Sequence, residues 1–160
     1  MTKVLVVYHS RTGNTATMAE AVVIGVRNAS VDGELKKMDE ASLEDLIGAD
    51  GIIVGSPTYF GSVSGEMKQF IDRSVTIRGK LENKVGAAFT SSGSLSGGNE
   101  TTLLSIIEAM LIHGMIVMGD PMETGGHYGA VSVGHPDEEA LKTCTKLGER
   151  VAGLVEKLAG

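Results

Sequence analysis

The sequence predicts an α/β fold, a doubly wound five-stranded parallel sheet with helices on both faces. Short apolar runs at residues 4–8 (VLVVY), 52–54 (IIV), 85–89 (VGAAF) and 115–118 (MIVM) recur without clean alternation, as expected of strands covered on both sides. Helical patterns lie between them, and right-handed crossovers then place helices on both faces. The length, 160 residues with 42% hydrophobic, suits one domain over residues 1–160, large enough to need no disulfide or structural metal.

The elements follow in chain order. The first strand covers residues 4–8. The first helix starts near Asn14 and Thr15, with Met18, Val22 and Val26 on one face. A weaker strand at residues 34–38 (ELKKM) reads as a charged edge. The third helix, about 64–74, buries Met67, Phe70 and Ile71, and the fourth, about 98–112, buries Leu103, Ile106, Ile107 and Met110. In the last helix Pro136 suits the first helical position, and Asp137, Glu138 and Glu139 complement the positive end of the dipole. Its apolar stripe is Leu141, Cys144, Leu147, Val151, Leu154 and Leu158. Residues 119–135 read as irregular, and a stretch of that length is often functional.

Charge and cysteine usage narrow the function. A net charge of -6 disfavours a nucleic-acid partner, which would want a basic face. No apolar run approaches the roughly 20 residues of a membrane span, and the start reads directly into a strand rather than a signal peptide. The lone Cys144 cannot close an intrachain disulfide and offers no zinc-ligand set. A reducing, cytoplasmic setting is expected.

In an open α/β sheet, ligands sit beyond the carboxyl ends of the strands. After the first strand come Ser10, Arg11, Thr12, Gly13, Asn14 and Thr15, small and hydroxylated residues that permit a tight turn whose N–H groups converge on an anion at a helix N-terminus. An ordinary side-chain N-cap is the alternative. After the third strand, Gly55, Ser56, Pro57, Thr58, Tyr59, Phe60 and Gly61 put two aromatic rings together; they offer a stacking surface or simple packing. After the fourth, Thr90, Ser91, Ser92, Gly93, Ser94, Leu95, Ser96 and Gly97 supply hydroxyls and backbone donors, or a mobile polar loop.

The S-R-T-G-N-T at positions 10–15 resembles the phosphate loop of the flavodoxin superfamily, whose members bind flavin mononucleotide (FMN) non-covalently on a doubly wound sheet of order 2-1-3-4-5. The S-P-T-Y-F-G from Ser56, G-E-M-K-Q-F-I-D from Gly65, G-G-N-E of the fourth loop, H-G-M from His113 and V-A-G-L-V-E-K-L-A-G at the end resemble WrbA-type NAD(P)H:quinone oxidoreductases of that superfamily. The resemblance runs end to end. It implies that Ser10, Thr12, Gly13, Asn14 and Thr15 hold the flavin phosphate, with Arg11 nearby. Pro57, Thr58, Tyr59, Phe60 and Gly61 would line the isoalloxazine, and residues from Ser91 to Gly97 would approach its pyrimidine end. His127, in the last loop, is a candidate for the flavin edge.

Departures from the resemblance divide the expected function. WrbA-type proteins usually carry an aromatic or similar residue where Thr12 stands, a His where Ile112 stands, and a Trp after the third helix; this chain has none of them. Insertions after the second and fifth strands are also absent or shortened. Conversely, flavodoxin-type carriers commonly cover the flavin with an aromatic of the fourth-strand loop, and residues 90–100 contain none. The expected function is therefore electron transfer through bound FMN to a redox partner protein; the alternative is two-electron NAD(P)H:quinone oxidoreduction with NAD(P)H as donor and a small quinone as acceptor. No acid–base dyad is found, and flavin chemistry does not require one. Cys144 reads as a core residue and His113 as packing at a helix end. Oligomeric state stays open, although exposed apolar residues on the third and fourth helices would favour a homo-oligomer.

Overall fold

The structure, a computed structural model, describes residues 1–160. In chain order it comprises β1 (Lys3–Tyr8), α1 (Asn14–Asn28), β2 (Asp32–Lys37), α2 (Leu43–Gly48), β3 (Gly51–Tyr59), β4 (Ser62–Val63), α3 (Gly65–Arg73), β5 (Val85–Ser92), α4 (Asn99–Ile112), β6 (Ile116–Val117), β7 (Ala130–Val133) and α5 (Glu138–Ala159). Short 3-10 turns follow α3 (Ser74–Ile77) and β6 (Met122–Thr124). The parallel sheet has the order β2-β1-β3-β5-β6, with β7 also paired to β5 and β4 folded back antiparallel on β3.

The expected parallel sheet is present, but in seven strand segments rather than five. The fifth position is shared. β6 pairs with Val85 and Gly86 at one end of β5, and β7 pairs with residues from Phe89 to Ser92 at the other. Residues 119–135 are therefore not irregular throughout, because the chain leaves the sheet after β6 and rejoins it at Ala130. The excursion closes on its own neck, since a Cβ on Gly119 would lie 1.8 Å from the carbonyl oxygen of His127. Asp120, buried to 1% exposure, holds it shut. One carboxylate oxygen accepts from the His127 amide at 2.8 Å and the other from Thr124 Oγ1 at 2.9 Å. Arg150 of α5 donates to the carbonyls of Gly119 and Asp120, both at 2.9 Å.

Segments that read as polar loops also prove to be strand. β3 continues through Pro57 to Tyr59, and β5 through Thr90 to Ser92. Hydroxyl-rich sequence can occupy the buried sheet because its hydroxyls find partners. Thr58 and Thr90 share a hydrogen bond of 2.8 Å, and Thr90 Oγ1 donates to the Ser56 carbonyl at 2.7 Å.

Two apolar cores lie on opposite faces of the sheet. One joins α1 and α5 through Met18, Val22, Val26, Cys144, Leu147 and Val151; the other gathers Leu46, Met67, Phe70, Leu103, Ile106 and Met110 from α2, α3 and α4. α1 and α5 touch through backbone: a Cβ on Gly25 would meet the Thr145 carbonyl oxygen at 1.9 Å, and one on Gly148 the Val22 oxygen at 2.1 Å. Asp137 is the N-cap of α5, accepting from the Ala140 amide at 2.8 Å, so Pro136 precedes the cap instead of opening the helix. Val155 is the last residue of α5 in the core, and Leu158, one turn further on, is exposed. β2 is an edge strand as expected, its Glu34 paired with Lys3 and Lys36.

Candidate functional site

The carboxyl ends of β1, β3 and β5 lie side by side, and the three hydroxyl-rich segments converge there. After β1 the chain turns sharply. Gly13 is the N-cap of α1 with φ of 101°, a left-handed conformation that glycine adopts without strain, and its amide donates to Ser10 Oγ at 3.2 Å. No side chain caps the helix. The backbone amides of Arg11, Thr12, Asn14, Thr15 and Ala16 have no acceptor within the chain. Unfilled donors at the positive end of a helix dipole form an anion site, and the open space around Gly13, with nothing within 4 Å of its Cβ position, admits a phosphate. Thr15 is buried and shares a 2.8 Å hydrogen bond with Ser91 Oγ, which fixes the loop after β1 to the end of β5.

The second segment ends in a tight hairpin. Tyr59 pairs with Ser62 across a two-residue turn, Phe60 (φ 49°) and Gly61 (φ 74°), the positive-φ pair characteristic of hairpin turns that match strand twist. Phe60 at the tip is wholly exposed, and Tyr59 is half-buried. The third segment leaves β5 with Ser92 Oγ donating to the Ser94 carbonyl at 3.0 Å. Gly93, Ser94, Leu95 and Ser96 are exposed, and Gly98 opens α4. Thr101 of α4 donates from its hydroxyl to the Gly61 carbonyl, which ties the hairpin to the start of α4, just after the fourth-strand loop.

The last loop stands apart from the phosphate end. His127 is largely exposed, with Nδ1 3.3 Å from Asp120 Oδ2. With Leu95, Asn99 and Tyr128 it lines a cleft of about 630 Å³ beside the fourth-strand loop. Asn99 is buried there, and its side-chain oxygen has no partner.

Of the residues expected from sequence, Thr12, Asn14 and Thr15 offer free amides to the cradle, Ser10 and Gly13 close its turn on each other, and Ser91 lies behind Thr15. Pro57 and Thr58 lie in β3 just before the hairpin of Tyr59, Phe60 and Gly61, and Ser92 to Gly97 lead from the end of β5 to the N-cap of α4. Arg11 turns away from the cradle: its Nη2 is 2.5 Å from Glu66 Oε1, and its guanidinium lies 4.8 Å from the centre of the Tyr59 ring. Sequence reasoning named Thr90 and Asn99 only as parts of the fourth-strand loop and gave no site role to Glu66, Thr101 or Asp120. Acidic residues in a first turn and hydroxyls in a strand are common, and no local pattern marks them. Cys144 is fully buried, and burial pushes its thiol up to about 12, consistent with an inert core residue. His113 caps the end of α4, its Nε2 2.7 Å from Ser74 Oγ.

A parallel sheet with a cradle of unfilled amides after β1, beside two further hydroxyl-rich strand ends, is that of an α/β protein whose carboxyl edge can take an anionic ligand. Residues 16–127 match the family described as NADPH-dependent FMN reductase. A flavodoxin of Aquifex aeolicus is 44% identical over 162 aligned positions, covering 97% of this chain and 88% of its own length. An NAD(P)H dehydrogenase (quinone) of Archaeoglobus fulgidus is 39% identical, covering 99% of this chain and all of its own; that alignment extends over 190 positions, so it carries segments this chain lacks. Among solved structures, a flavodoxin, WrbA-like protein from Agrobacterium tumefaciens superposes with a TM-score of 0.86 at 31% identity over 98% of this chain and 99% of that one. The chain belongs to the flavodoxin-like FMN redox proteins. FMN is the cofactor, and the amide cradle fits its phosphate. No helix is long and apolar enough to cross a membrane.

Proposed function

We propose that this chain is an electron-transfer flavoprotein, a single domain over residues 1–160 acting in the cytoplasm. Bound FMN supplies reversible one- and two-electron redox chemistry. The free amides of Arg11, Thr12, Asn14, Thr15 and Ala16, with the hydroxyls of Ser10, Thr12 and Thr15, hold the phosphate. Tyr59 and Thr58 line one side of the ring, with Pro57, Phe60 and Gly61 shaping that wall. Backbone donors from Ser91 to Gly97 face the pyrimidine end, where they stabilise negative charge, and His127 stands at its outer lip. The observation that carries the assignment to a phosphate-bearing flavin is the row of unpartnered amides around Gly13.

The carrier reading draws support from Thr12 and Ile112, which replace the residues expected in the reductases, and from the alignment with the Aquifex flavodoxin over 162 positions, against 190 for the quinone dehydrogenase. Electrons would leave to a partner protein docking over exposed Phe60. A second reading, an NAD(P)H:quinone oxidoreductase, is favoured by the cleft beside Leu95, His127 and Tyr128 and by a fourth-strand loop that brings no aromatic over the ring. Spectroelectrochemical titration of the FMN-loaded protein separates them. Two resolved one-electron steps, with no oxidation of NAD(P)H in the presence of benzoquinone, are expected of a carrier; a single two-electron step with rapid quinone-dependent NAD(P)H oxidation would establish the reductase.

A further inference from the structure

Arg11 is the one cation of the phosphate loop, yet its side chain is engaged elsewhere. Its guanidinium meets Glu66 Oε1 at 2.5 Å with one nitrogen, and its carbon lies 4.8 Å from the centre of the Tyr59 ring. The three residues stand on three separate elements: the loop after β1, the end of β3 and the first turn of α3. Both partners are themselves anchored. Tyr59 is held by its pairing with Ser62. Glu66 is placed by the N-cap of α3, where Ser64 Oγ accepts from the Met67 amide at 3.2 Å and also meets His9 Nδ1 at 2.8 Å. The Arg11 hydrogen bond holds the Glu66 carboxyl below its ordinary range, and Glu66 in turn raises Arg11, so both stay charged and mutually neutralised.

We propose that Arg11 is a positioning residue which, through Glu66 and Tyr59, fastens the ring wall to the phosphate loop and sets the rate at which FMN leaves, without acting as a phosphate ligand itself. This rests on the reading that the phosphate occupies the amide cradle and Tyr59 lines the ring. The geometry explains why an arginine and not a lysine serves. One planar group presents its edge to a carboxylate and its face to an aromatic ring, which a point-like ammonium cannot do at once. Each contact alone is weak at an exposed site. Because they share one guanidinium, loss of Glu66 also frees the cation from Tyr59, and the two effects are coupled.

Release of FMN from the loaded protein, followed by the return of free-flavin fluorescence on dilution, tests this in wild type, R11M, R11K, E66Q and the R11M/E66Q pair, with uptake first checked by calorimetry. R11M and E66Q should each speed release by about 3- to 10-fold, R11K should fall between wild type and R11M, and the double variant should be no faster than R11M. Thermal melts of the apo forms should coincide, separating this role from general stability. An E66Q rate equal to or slower than wild type would overturn the proposal, the slower rate meaning that the freed arginine turns to the phosphate; so would simple additivity in the double variant. Absence of FMN uptake by the wild type would instead sink the functional reading, and this inference with it.

Discussion

Gly98 and Gly61 meet backbone to backbone: a methyl group built on Gly98 would lie 2.3 Å from the Gly61 Cα. Gly98 also holds φ at 106° as the N-cap of α4, so both its conformation and its neighbour exclude a side chain. The contact sets the hairpin of Phe60 and Gly61 against the start of α4. G98A should cost about 2 kcal/mol or more of stability and, by splaying the walls, weaken FMN binding by at least about tenfold. Urea unfolding and calorimetry read the two effects; an alanine accommodated with neither would show that the walls move independently.

Thr12 is exposed on the phosphate loop, so its replacement probes the cradle without touching the core. An aspartate there is compatible with the apo protein, since it complements the α1 dipole, yet it sets a negative charge beside the phosphate. At a separation of about 4–5 Å the repulsion is roughly 1–4 kcal/mol. T12D should thus lose FMN affinity by about tenfold or more while T12N stays near wild type. Equal affinities in a calorimetric titration would remove this loop from the site.

His113 is held below its ordinary range by burial, with Arg78 adding to the effect. The unfolded chain therefore takes up this proton more readily than the folded one. Its contribution to stability is complete above the unfolded value near 6.5 and is lost as pH falls below it. Melting temperatures between pH 8 and pH 5 should decline more in wild type than in H113N. At pH 8 the variant should be less stable by about 1 kcal/mol, from the lost hydrogen bond with Ser74. A parallel decline in both proteins would contradict the assignment.

Gly25 and Gly148 let α1 and α5 touch through their backbones. A methyl group on either would fall within 2.1 Å or less of a carbonyl oxygen on the opposing helix, and neither helix can retreat without opening the core of Val22, Leu147 and Val151. Each Gly→Ala change should cost about 3 kcal/mol, although alanine is the better helix former. Denaturant titration decides; unchanged midpoints would mean that the helices slide freely.

The sheet, the start of α1 and the tight turn before it were legible because their signals are local. The run at Val4 to Tyr8 is apolar at every position, and Ser10 to Thr15 is short, small and hydroxylated just before a helical pattern. β7 was missed because Ala130 to Val133 is four residues long and lies among glycines, and its strand character comes from pairing with β5. The strand ends at Thr58 and Thr90 were read as loop because hydroxyls look like loop sequence until each is seen to satisfy the other.

Residue order alone determined the alternation of strands and helices, the burial of Cys144 and the tight turn after β1 that leaves its amides free, since periodicity and turn chemistry act over a few neighbouring residues. The tertiary structure decided that Arg11 reaches Tyr59 and Glu66, that Thr15 is tied to Ser91, that β6 and β7 share one edge, and that Gly98 seats against Gly61. Those choices depend on through-space partners tens of residues away, and a long side chain such as arginine has many rotamers of similar energy until a fixed carboxylate and ring select one.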